Sequence, residues 1–210
     1  MNTATTKQWL HVFQGDSITD CGRARSGPET LGGGYAFMAA AGMQFQKPAL
    51  KPEFINRGIS GNRVKDLEAR WTEDCIAMQP DSLSILIGAN DVWRRFDCQD
   101  PTSVEAFEAG YRRLLDRVRG ETKTRITLLE PFVLYVNPER ATWAEDLDPK
   151  RAVVRKLAGE YRTGFIPLHE ILAAQAELTG PAYWAADGVH PTPAGHALIA
   201  DALARHLVQG

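Results

Sequence analysis

Ser82-Leu83-Ser84-Ile85-Leu86-Ile87-Gly88-Ala89-Asn90-Asp91 is the stretch on which the fold turns. Ser82–Ile87 is a strand-length apolar run, and Gly88 ends it. Helical periodicity lies on both sides. Upstream, from Arg63 to Met78, the apolar residues Val64, Leu67, Trp71, Cys75 and Met78 recur at spacings of three or four, as one helix face requires. Downstream, Thr102 with Glu105 three residues later predicts a capping box. It would open a helix with the face Val104, Phe107, Tyr111, Leu114, Leu115 and Val118. A short apolar strand between amphipathic helices is the unit of a parallel sheet covered on both faces.

The same alternation extends outward. Trp9–Gln14, Glu53–Asn56, Arg125–Leu129 (closed by Pro131) and Phe165–Leu168 read as strands. Gly33–Phe45, Pro149–Arg162, Ile171–Leu178 and Pro193–Leu207 read as helices, the last with proline in its first turn. Five strands, each followed by a helix, predict an α/β fold: a three-layer αβα sandwich around a parallel five-stranded sheet. The longest irregular stretches are Thr19–Gly32, Pro131–Asp148 and Gly180–Thr192.

Composition narrows the class. At 210 residues, with no linker, repeat or change of composition, the expectation is a single domain over residues 1–210. Lys+Arg 24 against Asp+Glu 26 gives a net charge of −2, so no basic excess draws the chain to nucleic acid or anionic lipid. The most apolar stretch, Tyr35 to Met43, is far short of a membrane span. Met1 to Leu10 has no apolar segment of the secretory kind. Cys21, Cys75 and Cys98 cannot all pair within one chain, and Cys75 falls on a helix's apolar face. These features predict a cytoplasmic protein. Its tryptophans leave a homo-oligomer open.

In an open parallel sheet, ligands bind beyond the carboxyl ends of the strands. Four clusters stand at such places or just before the last helix: Gly15-Asp16-Ser17-Ile18-Thr19-Asp20, Gly58-Ile59-Ser60-Gly61-Asn62, Gly88-Ala89-Asn90-Asp91 and Asp187-Gly188-Val189-His190-Pro191. Together they offer what acyl transfer needs. Ser17 is a hydroxyl at a turn, His190 a base to take its proton, and Asp187 a carboxylate to orient the imidazole. The Ser17 and Gly61 amides with the Asn90 side chain could stabilise an oxyanion.

Plainer roles exist for each residue. Ser17 could cap a helix, Asn90 could form a turn, and Gly61 could supply a positive φ. Asp16 reads as a brace for its turn and Asp91 as a residue that orients its own. His11, His169, His196 and His206 lie in predicted strands or helices and read as structural. Asp16, Asp20, Asp91, Asp187 and His190 could instead gather a metal, but that leaves Ser17, Gly61 and Asn90 without a purpose. The cysteines lack zinc-site spacing, and Gly32-Gly33-Gly34 lacks the P-loop lysine. A non-catalytic sugar-binding module would not need a complete Ser-His-Asp set.

The four clusters resemble the four sequence blocks of the SGNH (GDSL-type) hydrolase family, in order and from Gly15 to His190. The resemblance implies a flavodoxin-like sheet and no cofactor or metal. It also implies Ser17 as nucleophile with Asp187 and His190, and an oxyanion hole of Ser17, Gly61 and Asn90. Longer stretches, residues 16–25, 58–62 and Gly88-Ala89-Asn90-Asp91-Val92-Trp93-Arg94, are similar to the family's acetyl-xylo-oligosaccharide esterases. This implies a small acetylated saccharide as substrate, with Trp93, Arg94, Tyr183 and Trp184 as candidate contacts. A broader short-chain esterase, lysophospholipase or thioesterase is the alternative within the family.

Overall fold

The computed structural model describes residues 8–26 and 29–209. The first seven positions read for a leader, and residues 27–28 of the first irregular stretch, lie outside the described residues.

The chain begins with β1 (Leu10–Gly15) and runs through α1 (Ser17–Asp20) and α2 (Tyr35–Gln46) to β2 (Glu53–Asn56). It continues through α3 (Val64–Ala69), a π-turn (Thr72–Ile76), β3 (Ser82–Leu86), α4 (Ala89–Asp97), α5 (Val104–Glu121) and β4 (Arg125–Leu129). Then come α6 (Pro138–Thr142), α7 (Ala144–Glu160), β5 (Gly164–Ile166), α8 (Leu168–Thr179) and α9 (Pro193–Gln209). The strands form one all-parallel sheet in the order β2-β1-β3-β4-β5. This flavodoxin-like order is the one expected, and it puts the topological switch point between β1 and β3.

Each central strand is apolar because it is covered twice, and alternate residues feed opposite layers. Val12, Leu83, Ile85, Ile126 and Leu128 pack under α3, α5 and α7. Phe13, Leu86, Leu129 and Ile166 pack against α2, α8 and α9. Polar side chains also enter these layers, and His11 Nδ1 finds no hydrogen-bond partner among the described residues. His11 is fully buried, bonded to Ser84 Oγ at 3.0 Å, and burial pulls its pKa down to about 3. His196 Nδ1 accepts the Tyr35 amide at 3.1 Å, and burial pulls it to about 4.

Several boundaries differ from the sequence reading. The helix expected over Arg63–Met78 breaks after Ala69 and resumes as a wider π-turn, although Val64, Leu67, Trp71 and Cys75 are buried as predicted. The cap of α5 is Ser103, whose side chain accepts the Ala106 amide at 3.1 Å, and not Thr102. α7 starts five residues before the expected Pro149 and carries that proline inside its first turns. Burial of Trp143 and Leu147 holds the segment ahead of it in place. Two helices were unforeseen: α4, directly after β3, and α6, within the stretch read as irregular.

Candidate active site

β1 delivers the hydroxyl. The chain turns out of the sheet at Gly15, and Asp16 takes the N-cap of α1, its Oδ1 accepting the Ile18 amide at 3.0 Å. The capping role open to Ser17 thus belongs to its predecessor. Ser17 stands at the first helical position, where a backbone N–H has no acceptor within its own helix.

Asp16 is buried. Burial is the main reason its carboxyl is pushed up to about 7. The Ile18 hydrogen bond and His190 pull the other way, and nearby Asp91 adds to the rise. Its Oδ2 has no hydrogen-bond partner among the described residues, as suits a carboxyl that keeps its proton.

The loop after β2 is clamped onto this turn. Ile59 N–H donates to Gly15 O at 3.1 Å, and Ser60 donates to Asp20 Oδ2 from its amide (3.1 Å) and its hydroxyl (3.0 Å). Arg25 holds the same Asp20 oxygen. Gly61 follows at φ +84°, a conformation that favours glycine, at the exposed crest of the loop.

From β3 comes Asn90, only 4% exposed in the first turn of α4, with Nδ2 donating to Asn62 O at 3.1 Å. Asp91 beside it accepts the Val64 amide at 3.2 Å. Burial pushes the Asp91 carboxyl up to about 6, against the hydrogen bonds from Val64 and Thr102 and the charges of Lys150 and Arg63. Asp91 therefore ties the β2 loop down at its far end, next to the segment that carries Gly61.

Asp187 and His190 arrive from the other end of the chain. An antiparallel bridge between Ala185 and Pro191 closes the loop that holds them. Asp187 Oδ1 accepts the Val189 (2.9 Å) and His190 (2.7 Å) amides, and its Oδ2 lies 2.7 Å from His190 Nδ1. Partial burial raises the Asp187 carboxyl, but these three hydrogen bonds outweigh it and hold the group below its usual range. His190 Nε2 lies 3.0 Å from Ser17 Oγ, across 173 residues of sequence. With Nδ1–H donated to an ionised carboxylate, Nε2 is left as the acceptor facing the hydroxyl.

The four candidate substrate contacts are placed unequally. The Trp93 ring lies 5.7 Å from that of His190. Arg94 pairs with Asp97 and reaches Asn90 Oδ1 at 3.4 Å. Tyr183 is exposed at the base of the Asp187–His190 loop. Trp184 is half-buried, its indole N–H donating to Thr179 Oγ1 at 2.8 Å.

Sequence reasoning missed Arg140 and Trp143, which lie in the stretch read as irregular. The usable signal was Asn137-Pro138, a capping residue followed by a helix-opening proline, with Asn137 Oδ1 accepting the Arg140 amide at 2.8 Å. Among the described residues, no three His, Cys, Asp or Glu side chains are placed to hold a metal ion. Among the same residues, no helix is long and apolar enough to cross a membrane.

Comparison with known proteins agrees with this geometry. The sequence profile of the GDSL-like lipase/acylhydrolase family matches residues 13–198. An acetylxylan esterase from Geobacillus stearothermophilus is 38% identical over 204 residues, 93% of this chain and 92% of that one. Its crystal structure superposes with a TM-score of 0.87, covering 95% of this chain and 94% of the other. Variants of it described as catalytic mutants replace a serine, an aspartate and a histidine. A GDSL-like lipase from Parabacteroides merdae superposes with a TM-score of 0.91 at 41% identity, covering 96% and 97% of the two chains. The chain therefore belongs to the GDSL-like lipase/acylhydrolase family and is a carboxylic ester hydrolase.

Proposed function

We propose that this enzyme removes acetyl groups from small acetylated saccharides of the xylo-oligosaccharide type, through an acetyl-serine on Ser17. The observation that carries the reading is the line from Ser17 Oγ to His190 Nε2 (3.0 Å) and from His190 Nδ1 to Asp187 Oδ2 (2.7 Å). The Ser17 oxygen attacks the acetyl carbonyl as its proton passes to Nε2, and Asp187 stabilises the resulting imidazolium. The Ser17 and Gly61 amides and Asn90 Nδ2 take the oxyanion. Collapse of the tetrahedral adduct breaks the ester bond, and the imidazolium returns its proton to the departing sugar oxygen. Water, deprotonated by the same imidazole, then cleaves the acetyl-serine to acetate. No step calls for a metal or cofactor.

Trp93 supplies an indole beside the reacting imidazole, a surface on which a sugar ring can stack. Arg94, Tyr183 and Trp184 are assigned outer contacts around it. The substrate class is supported by the esterase relative that matches along nearly the whole chain. We place the enzyme in the cytoplasm, a reading supported by its three unpaired cysteines.

Acetate release from acetylated xylo-oligosaccharides tests the proposal. Ser17→Ala is expected to lower it by about 10,000-fold or more. On p-nitrophenyl esters, the rate should fall steeply beyond acetyl and propionyl. A rise towards octanoyl would transfer the enzyme to the long-chain members of its family.

A further inference from the structure

Arg140 is the charged side chain that joins the Asp187–His190 loop to the aromatic wall of the site. It projects from α6 and is largely buried, with 14% of its side chain exposed. Nε donates to the backbone carbonyl of Asp187 at 3.0 Å. The guanidinium carbon stands 4.0 Å from the centroid of the Trp143 ring and 5.1 Å from that of Trp93. Those two indoles are 5.5 Å apart and inclined at 57°, so the cation occupies the angle between them. Both contacts are within the range of a cation–π attraction, which is stronger when water is excluded. Trp143 is buried and fixed, while Trp93 leans on His190.

The loop packs closely against its neighbours at Gly188. Gly188 has φ +86°, and a Cβ there would lie 3.4 Å from Arg140 Cγ and 2.4 Å from Leu134 O. The Leu134 amide in turn donates to Gly188 O at 2.7 Å. The ion pair of Arg140 with Glu139, at 3.2 Å, involves an exposed carboxylate and contributes little.

We propose that Arg140 is a positioning residue for ester hydrolysis: one guanidinium fixes the backbone of Asp187 and the indole of Trp93, so that the His190 ring is held from both sides in line with Ser17. The inference rests on the Ser17–His190–Asp187 reading above. The Arg140 side chain bonds to the Asp187 carbonyl and Glu139, not to Ser17 or the His190 ring. It acts through the loop it holds, and a displacement of the base by an ångström is enough to slow such a reaction by about 100-fold.

The test compares Arg140→Ala and Arg140→Lys with the parent on p-nitrophenyl acetate, with rates taken per folded molecule from circular-dichroism unfolding curves. Arg140→Ala is expected to lower kcat on the order of 10- to 100-fold while KM changes less than about threefold. Arg140→Lys keeps the charge but not the planar fork, and should recover only part of the loss. The downfield proton resonance of His190 Nδ1–H should broaden or move in Arg140→Ala. An unchanged kcat in both variants, a rise in KM alone, or an unmoved Nδ1–H resonance would overturn the proposal. Ser17→Ala, assayed alongside, separates the two readings. If Ser17→Ala stays active, the site assignment itself is wrong. If it is inactive while the Arg140 variants turn over normally, only the role of Arg140 falls.

Discussion

Asp16 shows how one residue can serve the local fold and carry a penalty for doing so. Its Oδ1 caps α1 and sets the Ser17 turn, yet the carboxyl is buried and keeps its proton to about 7 instead of the ordinary 3.8. Between those values the folded state holds a proton that the unfolded chain has released. The stability that Asp16 contributes is therefore complete below about pH 4 and is lost as pH rises to about 7. Asparagine keeps the capping oxygen and cannot ionise. Asp16→Asn is expected to gain on the parent across that window, by up to about 4 kcal/mol. Thermal unfolding of the pair at several pH values checks this, and a Tm difference that does not vary with pH would contradict it. Asn90 belongs to the same scale. Asn90→Ala removes one oxyanion donor and should fold, with kcat reduced on the order of 100- to 1,000-fold. Kinetics on p-nitrophenyl acetate give the answer, and equal activity removes Asn90 from the site. At this scale the meeting of Ser17, Asp187 and His190 was legible, because their clusters stand at a strand end and just before the last helix. The placement of Arg140 was not legible, because Trp143 three residues on signals nothing by itself, and the other partners, Trp93 and the Asp187 carbonyl, are distant in sequence.

The elements differ in how far their ends could be read. β2 and β4 begin and end where their apolar runs do. α4 was overlooked because its first turn is the Gly88-Ala89-Asn90-Asp91 cluster itself, so the residues read as a loop for chemistry are already helical. α7 was started too late because proline usually marks a first turn. There the burial of Trp143 and Leu147 compensates for the missing backbone hydrogen bond at Pro149. The cap of α5 falls one residue later than the sequence pattern suggests because Thr102 and Ser103 are both good capping residues, and Ser103 is the one that accepts a first-turn amide. Ser103→Ala is accordingly expected to destabilise the protein by about 1 kcal/mol, the usual worth of an N-cap. Chemical denaturation measures it. A Ser103→Ala variant as stable as the parent would show that the cap contributes nothing.

For the whole molecule, the order β2-β1-β3-β4-β5 decides where everything meets. Because every strand points the same way, the turns after β1, β2 and β3 open on one edge of the sheet. That edge is where Ser17, Gly61 and Asn90 lie. The alternation of strands and helices was enough to predict this arrangement, since right-handed crossovers leave few other ways to cover both faces. What alternation cannot give is the path of the last segment. The loop bearing Asp187 and His190 reaches the site because α9 lays Ile199 and Leu203 in the same layer as Ala36, Ala39 and Met43 of α2. The hydroxyl and the imidazole that faces it are thus 173 residues apart along the chain. On the mechanism proposed above, the docking of α9 is the step that completes the site, and hydrolysis reports that two distant parts of the chain have met.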